Sequence, residues 1–119
     1  MAIDEPEKID GLGFRPDDGQ LELLIYDHLD WSDEDQHLEA ITDKLNGYMH
    51  FLNGTQLAEM YPDKDETAYE RPWLRLVFAV SPTETGVAFL QGLADQLRPH
   101  GLTIAYDLIH TEPRSSFVL

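Results

Sequence analysis

The chain has 119 residues, enough for one hydrophobic core and too few for two. Its 42% apolar residues can fill such a core, which excludes wholesale disorder. The lack of cysteine excludes a disulfide scaffold, thiolate metal sites and thiol catalysis, and fits a reducing cytoplasm. Charge is the dominant property: 23 acids against 8 bases, a formal net of −15. Residues 1–70 carry 19 of the acids against only Lys8, Arg15, Lys44 and Lys64, a net of −15. Residues 71–119 balance Glu84, Asp95, Asp107 and Glu112 against Arg71, Arg75, Arg98 and Arg114. A field this lopsided repels nucleic acid and anionic membranes and steers basic surfaces toward the first 70 residues.

Residues 1–8 are acidic and lack an apolar stretch, so they read as a flexible lead-in and not a secretory signal. No run approaches the roughly 18 apolar residues of a membrane span. Ile9 to Phe14 and Gln20 to Tyr26 read as two strands joined through Arg15-Pro16-Asp17-Asp18-Gly19. In that turn Pro16 presets φ and Gly19 supplies a left-handed residue. In the second strand Leu21, Leu23 and Ile25 share a face.

Ser32 is the expected N-cap of a long helix ending at Asn53-Gly54, with Asp33, Glu34 and Asp35 in its first turn. Leu38, Ile41, Leu45, Tyr48 and Leu52 form its apolar stripe, with Met49 beside it, and Glu39, Asp43, Asn46 and His50 its polar side. Thr55 to Tyr61 is expected to add a short helical turn, and 62–67 a charged loop. Arg71 to Val80 is the clearest strand, alternating Leu74, Leu76, Phe78 and Val80 against Trp73, Arg75, Val77 and Ala79. Ser81-Pro82-Thr83-Glu84 opens a second helix with Val87, Leu90, Leu93, Ala94 and Leu97 buried, closed by Pro99-His100-Gly101. Leu102 to Ile109 is the last strand expected, and residues 111–119 a tail.

The order ββ-α-β-α-β predicts one α+β domain over residues 9–110. Its expected architecture is two-layered: a mixed four-stranded sheet with both helices on one face, an antiparallel hairpin at its start and a parallel pair around the second helix.

Asp27, His28, Asp30, Asp33, Glu34, Asp35 and His37 invite a metal reading, but no frame fits a calcium loop. Counting from Asp30, the sixth position is Asp35 where glycine is needed, and the twelfth is Ile41 where glutamate is needed. His28 and His37 do not form an HExxH zinc pair. The serines lack a nucleophile elbow, and Gly11-Leu12-Gly13 precedes a strand, not a helix, so it does not cradle a phosphate. No catalytic, cofactor or metal site is therefore expected. Trp31 has two readings: a hydrophobic cap over the end of the sheet, or an aromatic anchor ringed by carboxylates for an Arg- or Lys-rich partner. The candidate partner-binding residues are Asp30, Trp31, Asp33, Glu34 and Asp35, with Asp63, Asp65 and Glu66 of the charged loop.

Asp27-His28-Leu29-Asp30-Trp31-Ser32-Asp33, followed by His37-Leu38, Lys44-Leu45-Asn46-Gly47-Tyr48, Phe51 and Tyr61-Pro62, resembles a family of short bacterial proteins that carry a domain of unknown function. The likeness runs from about Ile9 to Leu108 and is marked by D-H-x-D-W and K-x-N-x-Y-x-x-F. It implies no catalytic residue. In size and charge the chain is also similar to acidic immunity proteins that neutralise bacterial toxins. The expectation is a non-enzymatic, cytoplasmic binding protein of antitoxin or immunity type that blocks a basic partner. The alternative is a housekeeping or regulatory domain that forms homo-oligomers.

Overall fold

A computed structural model describes residues 10–54, 59–64, 66–109 and 115–119. The chain runs β1 (Gly11–Phe14), β2 (Leu21–Asp27), α1 (Glu34–Leu52), a 3₁₀ turn (Glu66–Tyr69), β3 (Trp73–Phe78), α2 (Glu84–Leu97), a second 3₁₀ turn (Arg98–His100), β4 (Thr103–Leu108) and β5 (Ser115–Val118). The strands form one mixed sheet in chain order, β1-β2-β3-β4-β5. β1–β2 and β4–β5 are antiparallel, while β2–β3 and β3–β4 are parallel.

The α+β class, the two helices, the opening hairpin and the parallel β3–β4 pair are as the sequence predicts. Among the described residues, however, the sheet has five strands, not four. Residues expected as a tail supply β5, which pairs Phe117 with Tyr106 and Ser116 with Asp107. The short turn expected over Thr55 to Tyr61 lies largely outside the described residues; Glu59 and Met60 are helical.

Each element follows from local chemistry. Pro16 and Gly19 close the first hairpin, where Gly19 adopts φ 70° and the Arg15 amide donates to the Gln20 carbonyl at 2.8 Å. Gly101, at φ 84°, ends the second 3₁₀ turn; a Cβ there would meet the Glu70 carbonyl at 2.8 Å. Leu21, Leu23, Ile25, Leu74, Leu76, Phe78 and Ile104 fill the helix-facing side of the sheet and are essentially inaccessible. Ile41, Leu45 and Tyr48 of α1 and Leu90 and Ala94 of α2 close over them. Leu38, Met49 and Leu52 only flank this core. The buried stripe is instead completed by two polar residues, His37 and Lys44.

The opposite face of the sheet is held by ion pairs. Arg75 on β3 donates to Glu22 on β2 at 3.4 Å, to Asp107 on β4 at 2.8 Å and to the Ser116 hydroxyl on β5 at 2.6 Å. One guanidinium thus ties four adjacent strands together. Arg15 lies 3.6 Å over the Trp73 ring and also reaches Glu22.

Both parallel crossovers keep their helices on one face, and strand order follows chain order. Among the described residues the sheet therefore has no topological switch point, the place where open α/β sheets form a ligand crevice. Leu45→Ala removes a 5%-exposed side chain from the centre of the helix–sheet interface and should cost about 2–5 kcal/mol. Asp43→Ala, on the exposed side of α1, should change stability by less than about 0.5 kcal/mol. Urea unfolding of the two variants checks the phase of the helix.

Candidate functional site

The acidic loop between β2 and α1 is built around a buried pair. His37 Nε2 lies 2.5 Å from Asp27 Oδ2, and the two side chains are 1% and 0% exposed. Nδ1 of His37 lies 2.8 Å from the Asp30 carbonyl, which can only accept, so Nδ1 carries a proton. One further proton is then shared across the Nε2–Oδ2 contact. The pair is neutral in sum whether that proton sits on imidazole or carboxyl. Asp27 Oδ1 also accepts from the Leu29 amide at 3.0 Å. Burial raises the Asp27 pKa above its ordinary 3.8, although His37 and the Leu29 amide pull the other way.

Trp31 completes this unit. Its ring stacks on His37 with centroids 3.7 Å apart, leans on Phe78, and donates Nε1–H to the Val80 carbonyl at 3.2 Å. The residue is 9% exposed. Of its two readings, the structure shows the cap over the sheet's end; the ring is covered and is not presented as an anchor. The reason is Gly86 in the first turn of α2: a Cβ there would fall 2.7 Å from two indole carbons, so glycine makes room for the ring.

The acids beside Trp31 are partly engaged. Asp33, not Ser32, is the N-cap of α1, accepting from the Gln36 amide at 3.1 Å. Ser32 instead donates its hydroxyl to Asp30 at 2.7 Å, and the Ser32 amide donates there too. Those bonds hold the fully exposed Asp30 carboxyl below its ordinary pKa. Glu34 accepts from Thr83, the N-cap of α2, at 2.9 Å, joining the two helix starts.

Along α1, Asp33, Asp35, Glu39 and Asp43 are exposed. The helix's one lysine is not: Lys44 is fully buried and 2.9 Å from Asp10. Asp10 also accepts from the Tyr26 amide, and its own amide donates to the Tyr48 hydroxyl at 2.7 Å. That hydroxyl donates in turn to the Leu24 carbonyl. Burial, the largest influence, holds the Tyr48 phenol well above its usual range. Apart from His50, the exposed ionisable side chains of α1 are consequently all acidic.

The expected residues thus divide. Asp30, Trp31, Asp33, Glu34 and Asp35 come together at the start of α1, but only Asp35 combines exposure with no hydrogen bond in that cluster. Asp63 is exposed in the loop after Tyr61; Asp65 lies outside the described residues, and so does the Glu66 side chain. Sequence reasoning missed Asp10, Lys44 and Tyr48 as a network. The signal for Lys44 was its spacing, three residues after Ile41 and four before Tyr48, which places it on the buried stripe. Glu39 and Asp43, assigned to the polar side of α1, are exposed there. Among the described residues no group of three or more His, Asp or Glu is arranged to hold a metal ion.

Residues 1–110 match DUF6572, a family of unknown function. The chain belongs to that family. No match was found among curated proteins or among solved structures. In this DUF6572 chain Asp27, Asp30 and Trp31 bind or cover His37, while Lys44 and Tyr48 tie the start of β1 and the middle of β2 to α1.

Two substitutions test this unit. Gly86→Ala should lose about 1–3 kcal/mol through overpacking against Trp31, despite alanine's better helix propensity; a shift in tryptophan fluorescence should accompany the loss. Asp27 binds its proton more tightly folded than unfolded, so its contribution to stability is full below pH 3.8. That contribution falls as pH rises from there to the raised folded value. Asp27→Asn, whose amide can donate to Nε2 of neutral His37, removes that titration. The stability of wild type relative to Asp27→Asn should therefore decline across that window in urea titrations at stepped pH.

Proposed function

We propose that the protein is a non-enzymatic binding protein of antitoxin or immunity type, which captures a basic protein partner on the exposed face of α1. The observation that carries this reading is the removal of Lys44 into the core, where Asp10 neutralises it. Asp35, Glu39 and Asp43 are then left in a row on the solvent side of α1, with no lysine or arginine on that surface. Such a row attracts Arg- and Lys-rich surfaces over distances set by the Debye length, about 8–10 Å at physiological ionic strength.

Two further features support a binding role over catalysis. The polar pairs most like acid–base machinery, Asp27–His37 and Asp10–Lys44, have side-chain exposures of 0–1%, so a substrate has no route to them in this conformation. The α2 surface, in contrast, balances its charge with the exposed Asp95–Arg98 pair at 2.9 Å. That difference gives the molecule one acidic helix and one near-neutral helix.

Asp33 and Glu34 cap and bridge helices, so reversing them would confound binding with stability. Asp35→Lys combined with Glu39→Lys avoids this. With a partner recovered from a native lysate by pull-down, that double variant should lower the association rate by about tenfold or more at low salt, with the dissociation rate little changed. Added salt should slow wild-type association toward the same value. Asp95→Lys on α2 should have little effect. A partner whose capture ignores both salt and the α1 reversal would leave acidity as a solubility device.

A further inference from the structure

We infer that β5 is a self-association edge, through which two copies of this chain join their sheets antiparallel about a two-fold axis at Phe117. Among the described residues β5 has one neighbour, β4. The Leu119 amide donates inward to the Ile104 carbonyl at 2.9 Å. Antiparallel ladders alternate, so the main-chain groups of Ser115 and Phe117 also face β4. Those of Ser116 and Val118 point outward.

Apart from its shortness, that outer edge lacks the devices by which sheets avoid pairing. Ser115–Val118 contains no lysine, glutamate or proline. Phe117 is 42% exposed and Val118 62%. Arg75 and Asp107 hold the Ser116 side chain from the open face, which steadies the strand as a template.

The charge distribution selects a second copy as the occupant. The whole excess of −15 resides in residues 1–70, and residues 71–119 sum to zero. β1 and β5 are opposite edges of the sheet. Pairing at β5 therefore puts neutral halves together and sends the acidic poles outward, where self-repulsion is least. A neutral edge offers nothing to select a basic partner. Two identical strands also satisfy the reciprocity of an isologous contact.

The register follows from the outward groups. Ser116 of each copy faces Val118 of the other as a hydrogen-bonded pair, which leaves Phe117 opposite its own mate in a non-hydrogen-bonded pair. At such pairs Cα atoms approach to about 4.5 Å and side chains lie closest. Phe117 already stacks on Tyr106 with centroids 4.9 Å apart. The dimer would extend this into four consecutive rings along the helix side of one continuous sheet. A contact four residues long is small, so the dimer belongs to the weak, concentration-dependent class.

Sedimentation equilibrium across the micromolar to sub-millimolar range tests this. The wild-type mass should rise from one chain to two with concentration. Val118→Pro removes an outward N–H without touching the β4 ladder, and should weaken the dimer about tenfold or more while keeping the monomer's melting transition. If that variant fails to fold, Val118→Lys, which keeps the amide and charges the edge, should do the same. A wild-type chain that remains single throughout, or folded variants that dimerise as tightly as wild type, would overturn the inference.

Discussion

A protein this small can bury a histidine and an aspartate only if together they carry no net charge, and that constraint organises the junction between β2 and α1. The Asp30 carbonyl dictates a proton on Nδ1 of His37, and the short contact to Asp27 supplies the rest. An isolated ion at this depth would cost several kcal/mol. The shared proton avoids that cost and sets the path of residues 27–33, because the loop must bring a carboxylate and a carbonyl to opposite sides of one imidazole. Trp31 can then stack on the ring, and Gly86 of α2 accommodates the indole. Helix, loop and second helix are placed together by one proton.

The Asp10–Lys44 pair has a parallel role at the other end of the α1 interface. It joins the start of the first strand to the middle of the helix, and Tyr48 bridges both to the backbone of β2. Two neutralised polar centres inside, with unneutralised carboxylates outside, make α1 chemically two-sided in an unusual way. Its buried face includes a cation and an imidazole, and its solvent face keeps only acids and uncharged groups apart from His50.

Much of the fold was legible because it rests on local patterns. The alternation of β3, the Pro16–Gly19 hairpin and the Thr83 start of α2 each lie within a few residues of their causes. What escaped is non-local. Ser115–Val118 has only four residues and becomes a strand because Tyr106 and Asp107, about ten positions earlier, receive it. Lys44 looks like a solvent-facing residue until Asp10, 34 residues away, is brought beside it. Trp31 amid carboxylates left two readings open, a cap over the sheet's end and a displayed anchor. Nothing within the loop reveals that Val80 and Gly86 close over the ring. At the candidate site the acidic character was therefore readable, but not its division between carboxylates spent on capping and those left facing solvent.

Lysine is scarce in this chain: Lys8, Lys44 and Lys64 are its only primary-amine side chains, and Lys44 is sealed at 0% exposure. An amine-acylating reagent meets that nitrogen only when α1 lifts from β1, because the folded pair leaves it inaccessible. Modification of Lys44, followed by mass spectrometry of its peptide, would thus act as a clock for a local opening. Lys64, exposed above the Phe14 ring, provides the internal reference for intrinsic reactivity. The burial that leaves α1 without an exposed lysine also equips the protein with a native probe of how often that helix comes away from the sheet.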